Sequence, residues 1–282
     1  MRAVLRLVRI GNVTVSFAGT VVGGLAALGA GIPTGAAFWI VVVLAGLSTA
    51  CVTAAGNVLN DVQDVAGDRI NHPERPLVRG EWTVEEARML ATGLFAAGGL
   101  FIVPLLSYVP LVGIIYLVAV GALLGYEFRW KARGLSGNGL VALLTGLVFL
   151  YGGAAVGNPL VVVPFAVMAF LATLSREITK DIEDLGGDVG RRTLPMTRGV
   201  PFASAVSRLS VAAAIAVSAL PLLWFAPLST LGGIMYLAFV AAADALFVLS
   251  VAYLPRRLHW EQTVSKVAMS VALVAFLVVA FR

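Results

Sequence analysis

The stretch "GNVLNDVQDVAGDRINHPERPLVRG", residues 56–80, decides how this chain is read. It follows an apolar run long enough to cross a lipid bilayer, yet it places Asp61, Asp64 and Asp68 within eight residues. On a helix the spacing i, i+3, i+7 sets all three carboxylates on one face. Like charges so close repel one another, so packing alone is a poor motive for them. Something cationic should neutralise them.

The remainder of the chain is as apolar as this stretch is charged. Of 282 residues, 60% are hydrophobic and only 12% are charged, with a mean hydropathy of +0.95. A soluble domain carries about a quarter charged residues, so the shortfall predicts an integral membrane protein. Nine apolar segments fall at about 10–31, 36–60, 87–106, 108–126, 138–157, 160–180, 202–222, 227–254 and 262–281. Each is near the roughly 20 residues that a spanning helix needs. The runs are apolar all round rather than alternating, which argues against strands. Small residues, as in "GTVVGG" and "GALLG", suit close approach of membrane helices. The first run is too long for a signal peptide and lacks a cleavage pattern, so it reads as a permanent span. The expected fold is all-α and polytopic, with nine transmembrane helices in a single domain over 1–282. Cys51 lies alone inside an apolar run and reads as a small core hydrophobe.

The net charge is +5, from 20 basic and 15 acidic residues. In a membrane protein such an excess sets topology, and no nucleic-acid partner is expected. Arg2, Arg6 and Arg9 precede the first segment, and further groups follow the second, fourth, sixth and eighth. These positions hold 19 of the 20 basic residues, and only Arg282 falls on the other side. The positive-inside rule then predicts a multi-pass cell-membrane protein whose N-terminus and long acidic loops are cytoplasmic.

A second acidic stretch, "SREITKDIEDLGGDVGRRTLPMTRG" at 175–199, repeats the first. Asp181, Asp184 and Asp188 match Asp61, Asp64 and Asp68 at a shift of 120, and Glu177 matches Asn57. "PLVRG" at 76–80 resembles "PMTRG" at 195–199. Each cluster is expected to close a span and open a cytoplasmic loop. The pattern reads as an internal duplication, with repeat-like halves at about 10–134 and 138–254 and a ninth helix at 262–281. One charged run at a helix end is usually a solvated face. Two runs with the same spacing, each beside a span, need more than that. The ligands are all oxygen, with no Cys or paired His, which favours Mg²⁺ over Zn²⁺. Mg²⁺ takes one or two carboxylates and completes its shell with water and substrate phosphates. Two such clusters suit ions gathered about one diphosphate, with Arg75, Lys131 and Lys180 for the remaining phosphate charge. His72 and His259 stand alone and are assigned no metal.

"NDVQDVAGD" followed by "RINHPERP", with "KDIEDLGGD" and "TLP", resembles the UbiA superfamily of intramembrane prenyltransferases. "YEFRWK" at 126–131 is similar to that family's Tyr-to-Lys loop motif, with Glu127 where relatives often carry Ser. The resemblance implies nine helices around a central cavity capped by cytoplasmic loops. It implies a polyprenyl diphosphate donor bound through Mg²⁺, with its tail in the bilayer-facing cavity. Asn57, Asp61, Asp64 and Asp68 would form the first metal site, and Asp181, Asp184 and Asp188 the second. Arg75, Tyr126, Lys131 and Lys180 would contact diphosphate, with Asp61, Asp181 and Lys131 the catalytic choices. Breaking an allylic C–O bond separates an anion from a carbocation, and the cation must be kept from water. Phe149 and Tyr151 are aromatic candidates for shielding it, with ordinary packing as the other reading.

For the acceptor, "DRINHPERPLVRG" lacks the Arg-Thr of the family's aromatic-acid branch. It is similar to the archaeal branch that prenylates geranylgeranylglyceryl phosphate in ether-lipid biosynthesis. The second phosphate of such an acceptor would suit Arg9, Arg79, Arg191 and Arg198, with Asn12 orienting it. Transfer to an aromatic acceptor, such as 4-hydroxybenzoate or a quinone precursor, stays open. Paired acidic helices also suit a divalent-cation transporter, but the six Asp cluster at helix ends and not at the midplane. A phosphatidyl-type transferase lacks its Asp-Gly-x-x-Ala-Arg pattern here. Asp244 is the one acidic residue deep in a span, and is expected to face the interior with a partner.

Overall fold

The computed structural model describes residues 2–28, 35–127, 134–186, 192–224 and 226–281, and among these every regular element is helical. The α-helices are α1 (Arg2–Leu7), α2 (Ile10–Leu28), α3 (Ala36–Asn71), α4 (Val84–Ile102), α5 (Pro110–Gly125) and α6 (Leu135–Ala155). They continue with α7 (Val163–Glu183), α8 (Leu194–Arg198), α9 (Val200–Ser218), α10 (Leu220–Trp224), α11 (Leu231–Ala252) and α12 (Leu258–Val278). Among the described residues, eight helical stretches are long and apolar enough to cross a membrane: α2, α3, α4, α6, α7, α9 with α10, α11 and α12. α5 is apolar but has only 16 residues, about 24 Å against a hydrocarbon layer of roughly 30 Å. Prolines explain its shortness. Pro104 ends α4 in a 3₁₀ turn, and Pro110 sits at the start of α5.

The largest departure from expectation lies in α3. The apolar run ends at residue 60, and the acidic cluster was expected to close the span and open a loop. The helix instead runs unbroken to Asn71 and is 36 residues long, about 54 Å. The first proline after its start is Pro73, and Asp, Gln and Ala do not break a helix. Charge changes what a helix faces; it does not by itself end it. All three Asp of the first cluster are therefore helical, and the backbone N–H of His72 closes the end on the Asp68 carbonyl at 2.8 Å.

After α3 the chain turns back through the Pro-x-x-Arg-Gly stretch. Its glycine, Gly80, has φ 69°, and the matching Gly199 has φ 84°. Both need the left-handed region that glycine enters without penalty, and both lead into a long helix. Thr83 then caps α4 with a reciprocal box: the Glu86 N–H donates to the Thr83 hydroxyl at 3.2 Å, and the Thr83 N–H donates to the Glu86 carboxylate at 2.8 Å. Such a cap contributes about 1 kcal/mol.

The bundle is organised on α2, which packs against α3, α6 and α12. A Cβ on Gly23 would lie 2.5 Å from the Phe149 carbonyl oxygen of α6. The two backbones touch because no side chain intervenes, the usual device where lipid removes the hydrophobic drive between helices. Gly19 of α2 faces Val148 of α6 and Gly24 faces Gly152, so the two helices run parallel. On the far side, Phe149, Phe165, Tyr236 and Phe276 fill a core between α6, α7, α11 and α12.

Candidate active site

Between α1 and α2 the backbone bends at Arg9, a non-glycine residue with φ 52°. That conformation is uncommon and costs energy. It separates the two helices and lets the Arg9 guanidinium donate to the Asp61 carboxylate at 2.5 Å. Asp61 is only 3% exposed and also accepts from Arg75 at 3.2 Å. Arg75 donates in turn to Asp68 at 2.5 Å. The Asn57 amide donates to the Val8 carbonyl at 2.8 Å, tying α3 to the bend before α2. The cations demanded by the like charges are thus two guanidinium groups within the chain. Arg75, expected to meet diphosphate, and Arg9, assigned to the acceptor, both pair with Asp61.

Asp64 behaves differently. The Asn60 amide donates to its Oδ2 at 3.1 Å, and both lie on one helical stripe with Thr49 and Thr53. Those two threonines line a mainly apolar cleft between α3, α5 and α6, together with Leu123 and Leu147. The first cluster is therefore split: Asn57, Asp61 and Asp68 meet Val8, Arg9 and Arg75, while Asn60 and Asp64 continue the line of the cleft.

In the second cluster, the Asn138 amide at the start of α6 donates to the Asp181 carboxylate on α7 at 2.7 Å. α7 ends at Glu183, and Asp184 opens a 3₁₀ turn with its side chain exposed. The Arg176 guanidinium lies 3.9 Å from Glu177. Lys180 is exposed and Tyr126 is half-buried just past α5. Asp188, Arg191 and Lys131 lie outside the described residues. Of the remaining acceptor candidates, Asn12, Arg79 and Arg198 are exposed, Arg79 within 3.7 Å of Glu81.

The parallel pair α2 and α6 relates the two clusters. Arg9, before the start of α2, reaches Asp61 near the end of α3. Asn138, in the first turn of α6, reaches Asp181 near the end of α7. Because α2 and α6 run parallel, the two carboxylate clusters lie at the same end of the bundle.

Asn60 and Asn138 were not predicted. Each is a polar residue set in an apolar or acidic context, and the matched shift of 120 that exposed the carboxylates does not pair them. Phe149 packs edge-on to Phe276 at 5.4 Å between ring centres, which is a packing role. Asp244 accepts from the Ser218 hydroxyl at 2.8 Å, the interior partner expected of it.

The donor set suits Mg²⁺ in kind, being carboxylate and amide oxygens. Among the described residues, no three acidic, His or Cys side chains converge on one point as a cage. Guanidinium and amide groups hold the carboxylates instead, and an ion that takes one or two carboxylates and keeps waters needs no cage.

Known proteins are similar to this chain in sequence and fold. The chain is 36% identical to digeranylgeranylglyceryl phosphate synthase of Methanopyrus kandleri, over 98% of each chain. It is also 36% identical to the enzyme of that name from Haloquadratum walsbyi, over 99% of this chain and 94% of the relative. A solved structure from work on digeranylgeranylglyceryl phosphate synthase in membranes superposes with a TM-score of 0.79 at 30% identity, covering 99% of this chain and 98% of that one. A UbiA homologue from Archaeoglobus fulgidus, solved bound to GPP and Mg²⁺, shares the fold with a TM-score of 0.67 at 17% identity, covering 97% of this chain and 99% of that one. The model of the UbiA prenyltransferase family matches residues 16–279. With its carboxylate helices held at one end of an apolar bundle, the chain belongs to the UbiA prenyltransferase family.

Proposed function

We propose that this prenyltransferase moves a geranylgeranyl group from its diphosphate to the free hydroxyl of geranylgeranylglyceryl phosphate, forming an ether-lipid precursor. The observation that carries the reading is the placement of both carboxylate clusters at one end of the bundle, with Asn60 and Asp64 in line with an apolar cleft. The names of the archaeal relatives supply the acceptor.

The chain's residues then divide the work. Asp61, Asp64 and Asp68, with the Asn57 carbonyl oxygen, would hold Mg²⁺ at the first cluster, and Asp181, Asp184 and Asp188 at the second. Bound Mg²⁺ supplies electrostatic stabilisation to the departing diphosphate. Arg75, fixed between Asp61 and Asp68, offers a pre-oriented cation to the same phosphates. Lys131, Lys180 and Tyr126 complete the diphosphate contacts in this reading. The allylic C–O bond breaks and its electron pair leaves with the diphosphate. The acceptor oxygen bonds to the freed carbon and its proton passes to solvent. The cleft walls exclude water while the carbocation exists. Arg79, Arg191 and Arg198, with Arg9 and Asn12 at the bend, form the basic rim for the acceptor phosphate.

The proposed topology counts α5 as a ninth span around a central cavity in one domain, with duplicated halves and the carboxylates on the cytoplasmic side. The positive φ at both Gly80 and Gly199 supports the duplication. So does the 120-residue shift.

The test is turnover of labelled geranylgeranyl diphosphate with each acceptor class in Mg²⁺ buffer. Product is expected with geranylgeranylglyceryl phosphate, and EDTA should abolish it until Mg²⁺ is restored. Turnover of 4-hydroxybenzoate alone would overturn the acceptor assignment and favour the aromatic branch.

A further inference from the structure

The cleft between α3, α5 and α6 has a built floor. Ser48 is fully buried and Tyr151 is 5% exposed, and their hydroxyls hydrogen-bond to each other at 3.0 Å. Beyond them Ala45, Ile102, Val112 and Ala154 pack with Tyr151 into a continuous apolar cluster. Tyr116 stands beside this floor and is locked. Its hydroxyl donates to the Phe95 carbonyl at 2.5 Å, and its ring lies 3.4 Å from where a Cβ on Gly98 would be. The polar atoms of both tyrosines are thus spent on the protein, which leaves apolar ring surface toward the cleft.

The lining of the cleft can be followed on two helices. Ser48 and Thr53 bound it on α3, and Leu144 and Tyr151 bound it on α6, roughly 10 Å of helical rise on the longer side. Asn60 and Asp64 lie beyond it on the same stripe of α3. An extended isoprene unit adds four backbone carbons, about 5 Å at ordinary bond lengths. A donor whose diphosphate lies at the carboxylates would therefore meet the floor with the far units of its chain. A chain too long for the space above Tyr151 would force the packed cluster apart, which costs free energy.

We infer that Tyr151, backed by Ser48 and flanked by Tyr116, is the floor that limits the length of the donor chain. This rests on the prenyl-transfer reading above and names the residues that make it selective. Geranyl, farnesyl, geranylgeranyl and geranylfarnesyl diphosphates compete for one acceptor, and the products are counted by chain length. The native chain should favour the geranylgeranyl donor. Tyr151→Ala removes the floor and should raise use of the geranylfarnesyl donor relative to geranylgeranyl by about tenfold. Ala119→Phe, which fills the cleft between floor and mouth, should move the preference toward geranyl and farnesyl donors by a similar factor. Tyr151→Phe keeps the ring and should keep the profile. If Tyr151→Ala does not fold, Ala119→Phe alone decides. Native length preference in the folded cleft variants would overturn the inference. A native chain that transfers no prenyl group from any donor would overturn the prenyl-transfer reading instead.

Discussion

Asp61 and Asp64 lie less than a turn apart on α3 but have different surroundings. Asp61 is buried against Arg9 and Arg75, so its removal leaves Arg9 without its anion and Arg75 with Asp68 alone. Breaking such a buried pair costs on the order of 3 kcal/mol. Asp64 is half-exposed, held by the Asn60 amide, and continues the line of the cleft. The two alanine variants should therefore separate. Asp64→Ala should lower kcat by at least about 100-fold while its melting temperature in detergent stays near that of the native chain. Asp61→Ala should lose both activity and several degrees of melting temperature. Equal melting temperatures for the two would show that the Arg9–Asp61–Arg75 network holds no structural load. Asn138→Ala is expected to weaken turnover about tenfold by releasing Asp181, read in the same assay. The carboxylates were legible because their spacing recurs 120 residues later. The amides that hold them were not, since a single Asn on a helix has no period to betray which face it serves. Nor was the bend at Arg9, because nothing in "LVRIGN" forces a left-handed arginine; the ion pair with Asp61 holds it there.

At the scale of elements, the long apolar runs announced α2, α4, α6, α7, α9, α11 and α12 with boundaries off by a few residues. The misjudged ends share a cause. Hydropathy marks where a chain leaves lipid, whereas propensity and proline mark where a helix stops. In α3 the two limits are 11 residues apart, and in α4 Pro104 stops the helix before the apolar run is over. Close packing of α2 on α6 depends on Gly23, whose Cβ position lies against the Phe149 backbone. Gly23→Leu should force the pair apart and destabilise the protein by about 3 kcal/mol or more. The measurement is thermal unfolding in detergent, with Gly11→Leu, where nothing lies near the Cβ position, as the control expected to melt near the native temperature.

At the scale of the whole molecule, the distribution of basic residues and the count of helices make one joint prediction. Eight long helices alone would bring both termini to one side, and α5 as a ninth span puts them on opposite sides. A reporter fused at residue 1 should be cytoplasmic and one fused at residue 282 external. Two reporters on the same side would remove α5 from the spans. The same arrangement bears on how the enzyme meets its substrates. α3, at about 54 Å, overshoots a hydrocarbon layer of roughly 30 Å, and its last three turns carry the first carboxylates to headgroup depth. Donor and acceptor both dissolve in the bilayer, so they reach that height by lateral diffusion. The governing concentration is then two-dimensional: a rate that follows mole fraction in the lipid, falls when inert phospholipid dilutes the surface, and ignores the volume of the buffer.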